Sequence, residues 1–215
     1  MPRTRTPKPS ATLPPLDRGF FARDPRRVAR QLLGKILVHE LPKAQLTARI
    51  VEVEAYLGQE DPAAHAAAGR TLRNAVLFGP PGHAYVYFIY GNHYCLNVSC
   101  EPEGQAGCVL FRAAEPLSGI EEMADSRGIV ISGPKDLLQL TSGPGRLCQA
   151  FGITRERDNG RDLTLSASTL WIGDDGFSPR HVVATPRVGI TKAADHPLRY
   201  LVDGNPFVSR KLRPK

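Results

Sequence analysis

The sequence predicts an α+β fold: a single compact domain with a largely antiparallel, curved sheet and packed helices. Hairpin turns outnumber helical crossovers along the chain, and tight turns join antiparallel strands, whereas parallel strands need long crossovers. The length of 215 residues suits one domain with a sizeable core, and no internal repeat divides it. With 41% hydrophobic and 23% charged residues, the composition is that of an ordinary globular protein.

The first predicted elements are one helix and two strands. Asp24 is a candidate N-cap with Pro25 at the first helical position, and Gly34 ends the helical periodicity. Residues 35–41 (KILVHEL) and 44–56 (AQLTARIVEVEAY) then have strand character, and a short turn joins them. This order predicts a hairpin packed against the helix.

A long loop separates this hairpin from a predicted meander. Residues 58–81 are rich in small residues, and a connection of this length is usually functional or mobile. The segments 83–91, 94–100 and 107–116 then alternate like strands, with turn residues between them. The first two strands form a tyrosine-bearing β-hairpin.

Two helices and three short strands complete the prediction. The helices are expected at 117–127 and 142–153, and the glycine-rich start of the second exposes backbone N–H groups that tolerate a nearby phosphate. The strands are expected within 169–173, 181–190 and 198–204.

The ends of the chain differ in composition from its middle. We predict a basic, proline-rich disordered arm at 1–16, the folded domain at 17–210 and a basic tail at 211–215. The arm lacks the apolar segment of a secretory signal, and the longest apolar run is far too short to span a bilayer. We therefore expect a protein that is neither secreted nor bound to a membrane, located in the cytoplasm or nucleoid of a bacterium or in a eukaryotic nucleus.

Charge and cysteine content narrow the possible partners. The chain has 28 Lys and Arg against 21 Asp and Glu, a net charge of +7. This balance favours a polyanionic partner such as nucleic acid, although many basic proteins bind none. The cysteines lack metal-binding spacing, so we predict reduced structural thiols and no metal or cofactor. They are Cys95, Cys100, Cys108 and Cys148.

Residues 49–58, RIVEVEAYLG, place two carboxylates and a tyrosine on one side of a predicted strand. Strand alternation directs Glu52, Glu54 and Tyr56 to the same face, and the plainest interpretation is a solvated face. Arg112 argues against it, because a guanidinium in an otherwise apolar strand needs a charged partner. A glutamate that faces this arginine can stay ionised and act as a general base. The spacing does not decide which glutamate has that role.

Several aromatic and polar residues could contact a base. Tyr85 and Tyr87 share one face of a predicted strand, where tyrosines are ordinary core residues but also stacking platforms for bases. Tyr90 at the hairpin tip could wedge between bases. Asn97, within an apolar strand, must find partners in the backbone or a ligand. His65, on a loop of small residues, is by itself more typical of a surface histidine.

Five long blocks of the sequence resemble the alkyladenine (3-methyladenine) DNA glycosylases, the type without a helix-hairpin-helix. They run in the same order from about Phe20 to Ser209: RIVEVEAYLGQEDPAAHA, AYVYFIYGNHYCLNVS, GCVLFRAAEPLSG, TSGPGRLCQAFGI and RVGI…PLRYLVDGNPFVS. The resemblance implies a monofunctional, monomeric hydrolase that acts on double-stranded DNA containing an alkylated or deaminated purine. Such an enzyme flips the base out of the duplex, hydrolyses its N-glycosidic bond with a Glu-activated water and leaves an abasic site.

The resemblance also implies catalytic roles. Glu54 matches the glutamate that activates the water, and Glu52 is its neighbour. Arg112 matches an arginine that helps to hold this water, and Val188 matches a residue whose backbone carbonyl binds it.

The remaining implied roles concern the base and the DNA. Asn97 matches a residue that crowds the exocyclic amine of guanine, Tyr90 matches the wedge that fills the gap in the duplex, and Arg146 matches a basic residue at a phosphate-facing helix start. The tip departs from the family at Asn92, where a bulkier apolar residue is frequent, which should alter contacts to the opposite strand or the lesion preference. The implied base-binding pocket comprises Tyr56, His65, Tyr87 and Asn97.

Two other functions fit parts of the same pattern. A non-catalytic protein could use the tyrosines and the basic surface to bind damaged DNA or structured RNA. A small-molecule nucleoside hydrolase could use the glutamate without binding DNA. Excision from a lesion-bearing duplex distinguishes the predicted enzyme from both.

Overall fold

A single, strongly curled antiparallel sheet organises the computed structural model, which describes residues 13–89, 91 and 93–209. Every strand pairing within these ranges is antiparallel, which confirms the predicted α+β class. The strands are β1 (Ile36–Glu40), β2 (Gln45–Tyr56), β3 (Ala84–Ile89), β4 (His93–Cys100), β5 (Gly107–Ser118), β6 (Leu170–Gly173), β7 (Val182–Thr185) and β8 (Arg199–Val202).

The long strands β2 and β5 form the middle of the sheet. The order β3-β4-β5-β2-β1-β6 accounts for six strands, while β8 also pairs with β2 and carries β7 on its other edge. The register between β2 and β5 shifts on both sides of Glu52. Such irregularities bend a strand, so one edge of β2 serves β1 in its first half and β8 in its second.

Six short helices pack around this sheet in the described ranges. The predicted helix is present: the side chain of Asp24 accepts a hydrogen bond from the Arg26 N–H, and Gly34 has a φ of +90° just beyond the helix. The helices are α1 (Arg18–Phe21), α2 (Pro25–Leu32), α3 (Ile120–Arg127), α4 (Pro134–Thr141), α5 (Pro144–Ala150) and α6 (Arg155–Asp158).

The sequence did not predict the one-turn helix α1, nor α4 and α6. Helix α4 begins with Pro134 at its first position, and the Asp136 carboxylate accepts hydrogen bonds from the Ser132 and Gly133 N–H groups. Helix α6 is one turn long, and the Thr154 side chain caps it. Both are too short to show a convincing apolar stripe, because one or two turns bury only a few positions.

Part of the predicted N-terminal arm lies against the sheet. The Leu13 carbonyl accepts a hydrogen bond from the Trp171 indole at 2.8 Å, and the Leu16 N–H donates to the Ile172 carbonyl at 2.8 Å. Residues 13–16 therefore belong to the packed domain, which corrects the inner boundary of the arm. The rest of that arm and the predicted tail at 211–215 lie outside the described residues. No helix among the described residues has the length and apolar character needed to cross a membrane.

Two glycines flank α3 and allow a matched stability test. Both have left-handed backbones, with φ values of +70° at Gly119 and +62° at Gly128. An added Cβ at Gly119 would lie 2.4 Å from the Leu46 Cδ2, whereas one at Gly128 would meet open space. We expect Gly128→Ala to cost about 1–2 kcal/mol from backbone strain alone. Gly119→Ala should cost about 1–3 kcal/mol more from overpacking, measured by urea denaturation. Equal costs would contradict this assignment.

Candidate active site

One cavity of about 370 Å³ lies where β2, β3, β4 and β5 meet the loop after β2 and the segment 188–190. Its volume is in the range of small-ligand sites. The structure brings to its wall all three predicted catalytic residues and all four predicted base-binding residues. These are Glu54, Arg112 and Val188, together with Tyr56, His65, Tyr87 and Asn97.

Glu54 has no solvent-accessible surface, yet its side chain lines this cavity. Its Oε1 accepts a hydrogen bond from the Val188 N–H at 2.7 Å and lies 3.1 Å from Nη1 of Arg112. Its Oε2 accepts a hydrogen bond from the Tyr56 hydroxyl at 3.0 Å. Three donors from three segments thus fix the orientation of the carboxylate. Since a carboxylate oxygen can accept two hydrogen bonds, Oε2 keeps capacity for another donor.

The neighbouring Glu52 is also fully buried but does not line the cavity. Its Oε1 accepts hydrogen bonds from Nε of Arg112 at 2.8 Å and Nε of Arg199 at 2.7 Å. Its Oε2 accepts one from the Ser209 N–H at 2.6 Å. Burial raises the pKa of Glu52, but Arg112, Arg199 and Ser209 outweigh it and lower the pKa below its ordinary value. Glu54 therefore reaches the cavity, whereas Glu52 lies outside its lining and shares Arg112 with it.

Arg112 connects the two glutamates. Its Nε binds Glu52 and its Nη1 binds Glu54. Burial lowers the pKa of the guanidinium, but the two carboxylates outweigh it and raise that pKa overall. Arg112, Arg199 and the two glutamates balance in charge, which is how the interior tolerates them. The solvated-face interpretation of this strand was therefore wrong, because its glutamates are paired inside the protein.

A second buried ion pair lies behind Tyr56. Arg187 binds Asp61 through two contacts, at 2.5 and 2.9 Å, and also donates to the Ala55 carbonyl at 3.1 Å. The Arg187 guanidinium lies 4.6 Å from the centroid of the Tyr56 ring. Arg187 directly precedes Val188, so this pair fixes the backbone that donates to Glu54. Burial raises the pKa of the Tyr56 hydroxyl, and Glu54 raises it further, so the hydroxyl stays a donor.

The opposite wall is a cluster of aromatic rings. The His65 and Tyr87 rings are 4.4 Å apart between centroids, and the Tyr85 and Tyr87 rings are 5.4 Å apart. The His65 Nδ1 lies 2.8 Å from the Tyr85 hydroxyl. Partial burial lowers the pKa of His65, and the nearby Arg73 lowers it further. At neutral pH the imidazole is therefore uncharged and presents a neutral ring at the cavity.

Asn97 lies on β4 and lines the cavity. Its Nδ2 donates to the Tyr85 carbonyl at 3.1 Å, and its Oδ1 is 3.9 Å from Sγ of Cys108. The amide is thus oriented by the protein itself. Cys95 and Cys108 also line the cavity, and burial raises the pKa of their thiols to about 11 and about 12. All four cysteines are buried free thiols.

The predicted DNA-contacting residues are only partly described. Arg146 is exposed on α5, two residues after Pro144, which lines the cavity. Tyr90, predicted as the wedge, and Asn92, the departure at the hairpin tip, lie outside the described residues. Ile89, the residue before Tyr90, lines the cavity.

The sequence reasoning missed the supporting charges. Asp61, Arg187 and Arg199 are buried, and Arg73 lies beside the aromatic rings. Asp61 stands in a loop and Arg187 lies 126 residues later, so no local spacing relates them. The only available signal was the presence of arginines in short, otherwise apolar or small-residue segments.

Comparison with known proteins gives consistent matches over the whole domain. The family model described as Methylpurine-DNA glycosylase matches residues 19–206. Three similar relatives share the printed name "Putative 3-methyladenine DNA glycosylase". They come from Koribacter versatilis (61% identical, covering 94% of this chain and 96% of the relative), Rhodopseudomonas palustris (48%, 96% and 96%) and Alkaliphilus oremlandii (45%, 91% and 99%).

The buried pair of Asp61 and Arg187 should show strong energetic coupling. Asp61→Asn leaves a buried guanidinium without its counter-ion, so we expect a loss of about 3–5 kcal/mol in the free energy of unfolding. Replacing both partners by apolar residues, Asp61→Leu with Arg187→Met, should cost clearly less than the single change. Urea denaturation measures both. A double variant no more stable than Asp61→Asn would show that the charge pairing is not the main contribution.

Glu52 should make the folded protein sensitive to acid. Its folded pKa lies below its ordinary value of 4.5, so its contribution to stability is complete above about pH 4.5 and is lost as the pH falls through the folded pKa. We expect the difference in unfolding free energy between wild type and Glu52→Gln to be largest at pH 7 and to shrink on acidification. Urea unfolding at several pH values tests this. A difference independent of pH would be the contrary result.

Proposed function

The chain belongs to the methylpurine-DNA glycosylase family, and from this premise we propose that its cavity receives a damaged purine flipped out of duplex DNA. It is accordingly a hydrolase of N-glycosyl bonds, a DNA glycosylase of the 3-methyladenine type. The proposal extends this to deaminated purines, to base flipping and to a water activated by Glu54. We also propose that the enzyme acts as a monomer.

The observation that carries the mechanism is the oriented carboxylate of Glu54 at the cavity wall. The Val188 N–H, Arg112 and the Tyr56 hydroxyl hold it in place, and one lone pair of Oε2 remains for a water molecule. A carboxylate fixed in this way can accept a proton without first reorienting. Arg112 pairs with both glutamates, and this pairing offsets the cost of burying their carboxylates.

The reaction then proceeds by hydrolysis at the sugar. The water oxygen bonds to C1′ as the C1′–N bond to the purine breaks, and the bond electrons leave with the base. Glu54 takes the proton from the water, and its negative charge also stabilises the positive charge that develops at C1′. We assign to the Val188 carbonyl and to Arg112 the task of holding the water, in line with their position beside Glu54.

The aromatic wall supports the assignment of a flipped base. Flipping costs a few kcal/mol, and stacking on aromatic side chains offsets about 1–3 kcal/mol per base. Tyr56 and Tyr87 supply large ring faces, and the uncharged His65 supplies another. We propose that Asn97, with its amide held by the Tyr85 carbonyl, crowds the exocyclic amine of guanine and so disfavours the normal base.

Contacts to the DNA backbone follow from charge and position. The net charge of +7 favours a polyanion, and Arg146 is exposed close to the cavity-lining Pro144. We propose that Arg146 binds a phosphate beside the flipped nucleotide. The wedge role of Tyr90 remains a prediction from the resemblance.

Loss of the Glu54 carboxylate should separate catalysis from binding. We expect Glu54→Gln to lower excision by at least ~100-fold, the lower range for general-base catalysis, while the affinity for lesion-bearing duplex is retained. Excision is measured as strand cleavage by alkali at the abasic site, in a duplex that contains hypoxanthine or an alkylated purine. Affinity is measured by titration of the same duplex.

Glu115→Gln serves as the matched control. This change also removes one carboxylate, but Glu115 lies on β5 outside the cavity lining. It should excise at the wild-type rate. Full activity in Glu54→Gln would falsify the role of this carboxylate. A wild-type protein that binds the lesion duplex without leaving abasic sites would favour the non-catalytic binder.

A further inference from the structure

Arg73 has a defined position beside the aromatic wall although its side chain is exposed. The next residue, Asn74, is buried and links two other parts of the same loop. Its Nδ2 donates to the His65 carbonyl at 2.9 Å and to the Gly69 carbonyl at 3.0 Å. Its Oδ1 accepts from the Thr71 N–H at 2.7 Å. The backbone that carries Arg73 is therefore held in fixed relation to His65.

The guanidinium of Arg73 lies near the Tyr87 ring, on which we propose that the base stacks. Its Cζ lies 5.9 Å from the centroid of the Tyr87 ring, which lines the cavity and contacts His65. A cation at this distance interacts with the electron-rich ring face. The same charge is one reason why the pKa of His65 is lowered, after partial burial. Both observations indicate that the positive charge of Arg73 acts on the aromatic cluster of Tyr87, Tyr85 and His65.

The cavity-region arginines Arg112 and Arg187 are paired with carboxylates. Within the described part of the chain, no salt bridge joins Arg73 to a carboxylate. The carboxylate at the cavity, Glu54, is already paired with Arg112. A base stacked on Tyr87 would therefore meet the field of an uncompensated cation.

We propose that Arg73 determines lesion specificity by disfavouring positively charged alkylated purines relative to neutral purines in this cavity. The proposal rests on the proposed function, since it assumes that the base stacks on Tyr87. Tyrosine faces by themselves favour a cationic base. Arg73 opposes that preference, because the cationic base and the Arg73 guanidinium would then both lie near the Tyr87 ring. At separations near 10 Å in a partly hydrated site, repulsion of unit charges changes an equilibrium by about threefold to tenfold.

The test compares two lesions in otherwise identical duplexes. One carries 7-methylguanine, whose base is cationic, and the other carries hypoxanthine, whose base is neutral. Single-turnover excision rates with enzyme in excess give a ratio of cationic to neutral excision for each protein, and effects on general DNA affinity cancel in that ratio. Arg73→Gln should raise the ratio by about threefold to tenfold. Arg73→Lys retains the charge and should stay within about twofold of wild type.

Arg70→Gln is the matched control, because it removes one positive charge from the same exposed loop, and its ratio should equal that of wild type. An unchanged ratio in Arg73→Gln, or an equal rise in Arg73→Lys or Arg70→Gln, would overturn the role of Arg73. If wild type excises hypoxanthine alone, new excision of 7-methylguanine by Arg73→Gln supports the role and its absence contradicts it. A wild-type protein that excises neither lesion would overturn the proposed function itself, and the role of Arg73 with it.

Discussion

The sharing of Arg112 between Glu52 and Glu54 is the interaction on which the rest of the site depends. Two carboxylates on one strand could not both be buried as anions without a cation between them. Arg112 supplies it from the adjacent strand β5, using Nε for one glutamate and Nη1 for the other. Arg199, from β8 on the other edge of β2, supplies the second positive charge. The Glu54 carboxylate therefore keeps a charged partner at the cavity, because Glu52 binds the same guanidinium and keeps Arg112 in place.

The fold supplies these charges by pairing distant segments with one strand. β2 is bent by its irregular register at Glu52, and this bend lets β8 join it beside the glutamates. The pair of Asp61 and Arg187 is a second buried ion pair that supports the same carboxylate. It fixes the segment whose Val188 N–H donates to Glu54. Both ion pairs are buried, so each is insulated from screening by salt. The carboxylate is thereby oriented before any substrate enters, which is the condition for efficient electrostatic catalysis.

The cavity has two chemically different parts, the aromatic wall and the ion pair of Glu54 and Arg112. Tyr87, Tyr85 and His65 form the aromatic wall on which we propose the base stacks, whereas Glu54 and Arg112 form the ion pair that we propose acts in hydrolysis. Tyr56 belongs to both, because its ring lies against Arg187 while its hydroxyl donates to Glu54. If the proposed function holds, a charge beside the aromatic wall acts on which base is bound, and a charge beside the Glu54 carboxylate acts on its hydrolysis.

The sequence by itself determined the class of fold, the helix capped by Asp24 and the order of the strands along the chain, because these follow from local periodicity and turn residues. Through its resemblance to a family it also named seven of the residues that line the cavity. It missed the short helices α1, α4 and α6, whose few turns show no clear apolar stripe. It could not choose between Glu52 and Glu54 from spacing, and it did not reveal the partners of either. Only the tertiary structure decided those contacts, since Arg199, Asp61 and Arg187 meet their partners across long stretches of chain, and a buried charge selects its neighbour in space rather than in sequence.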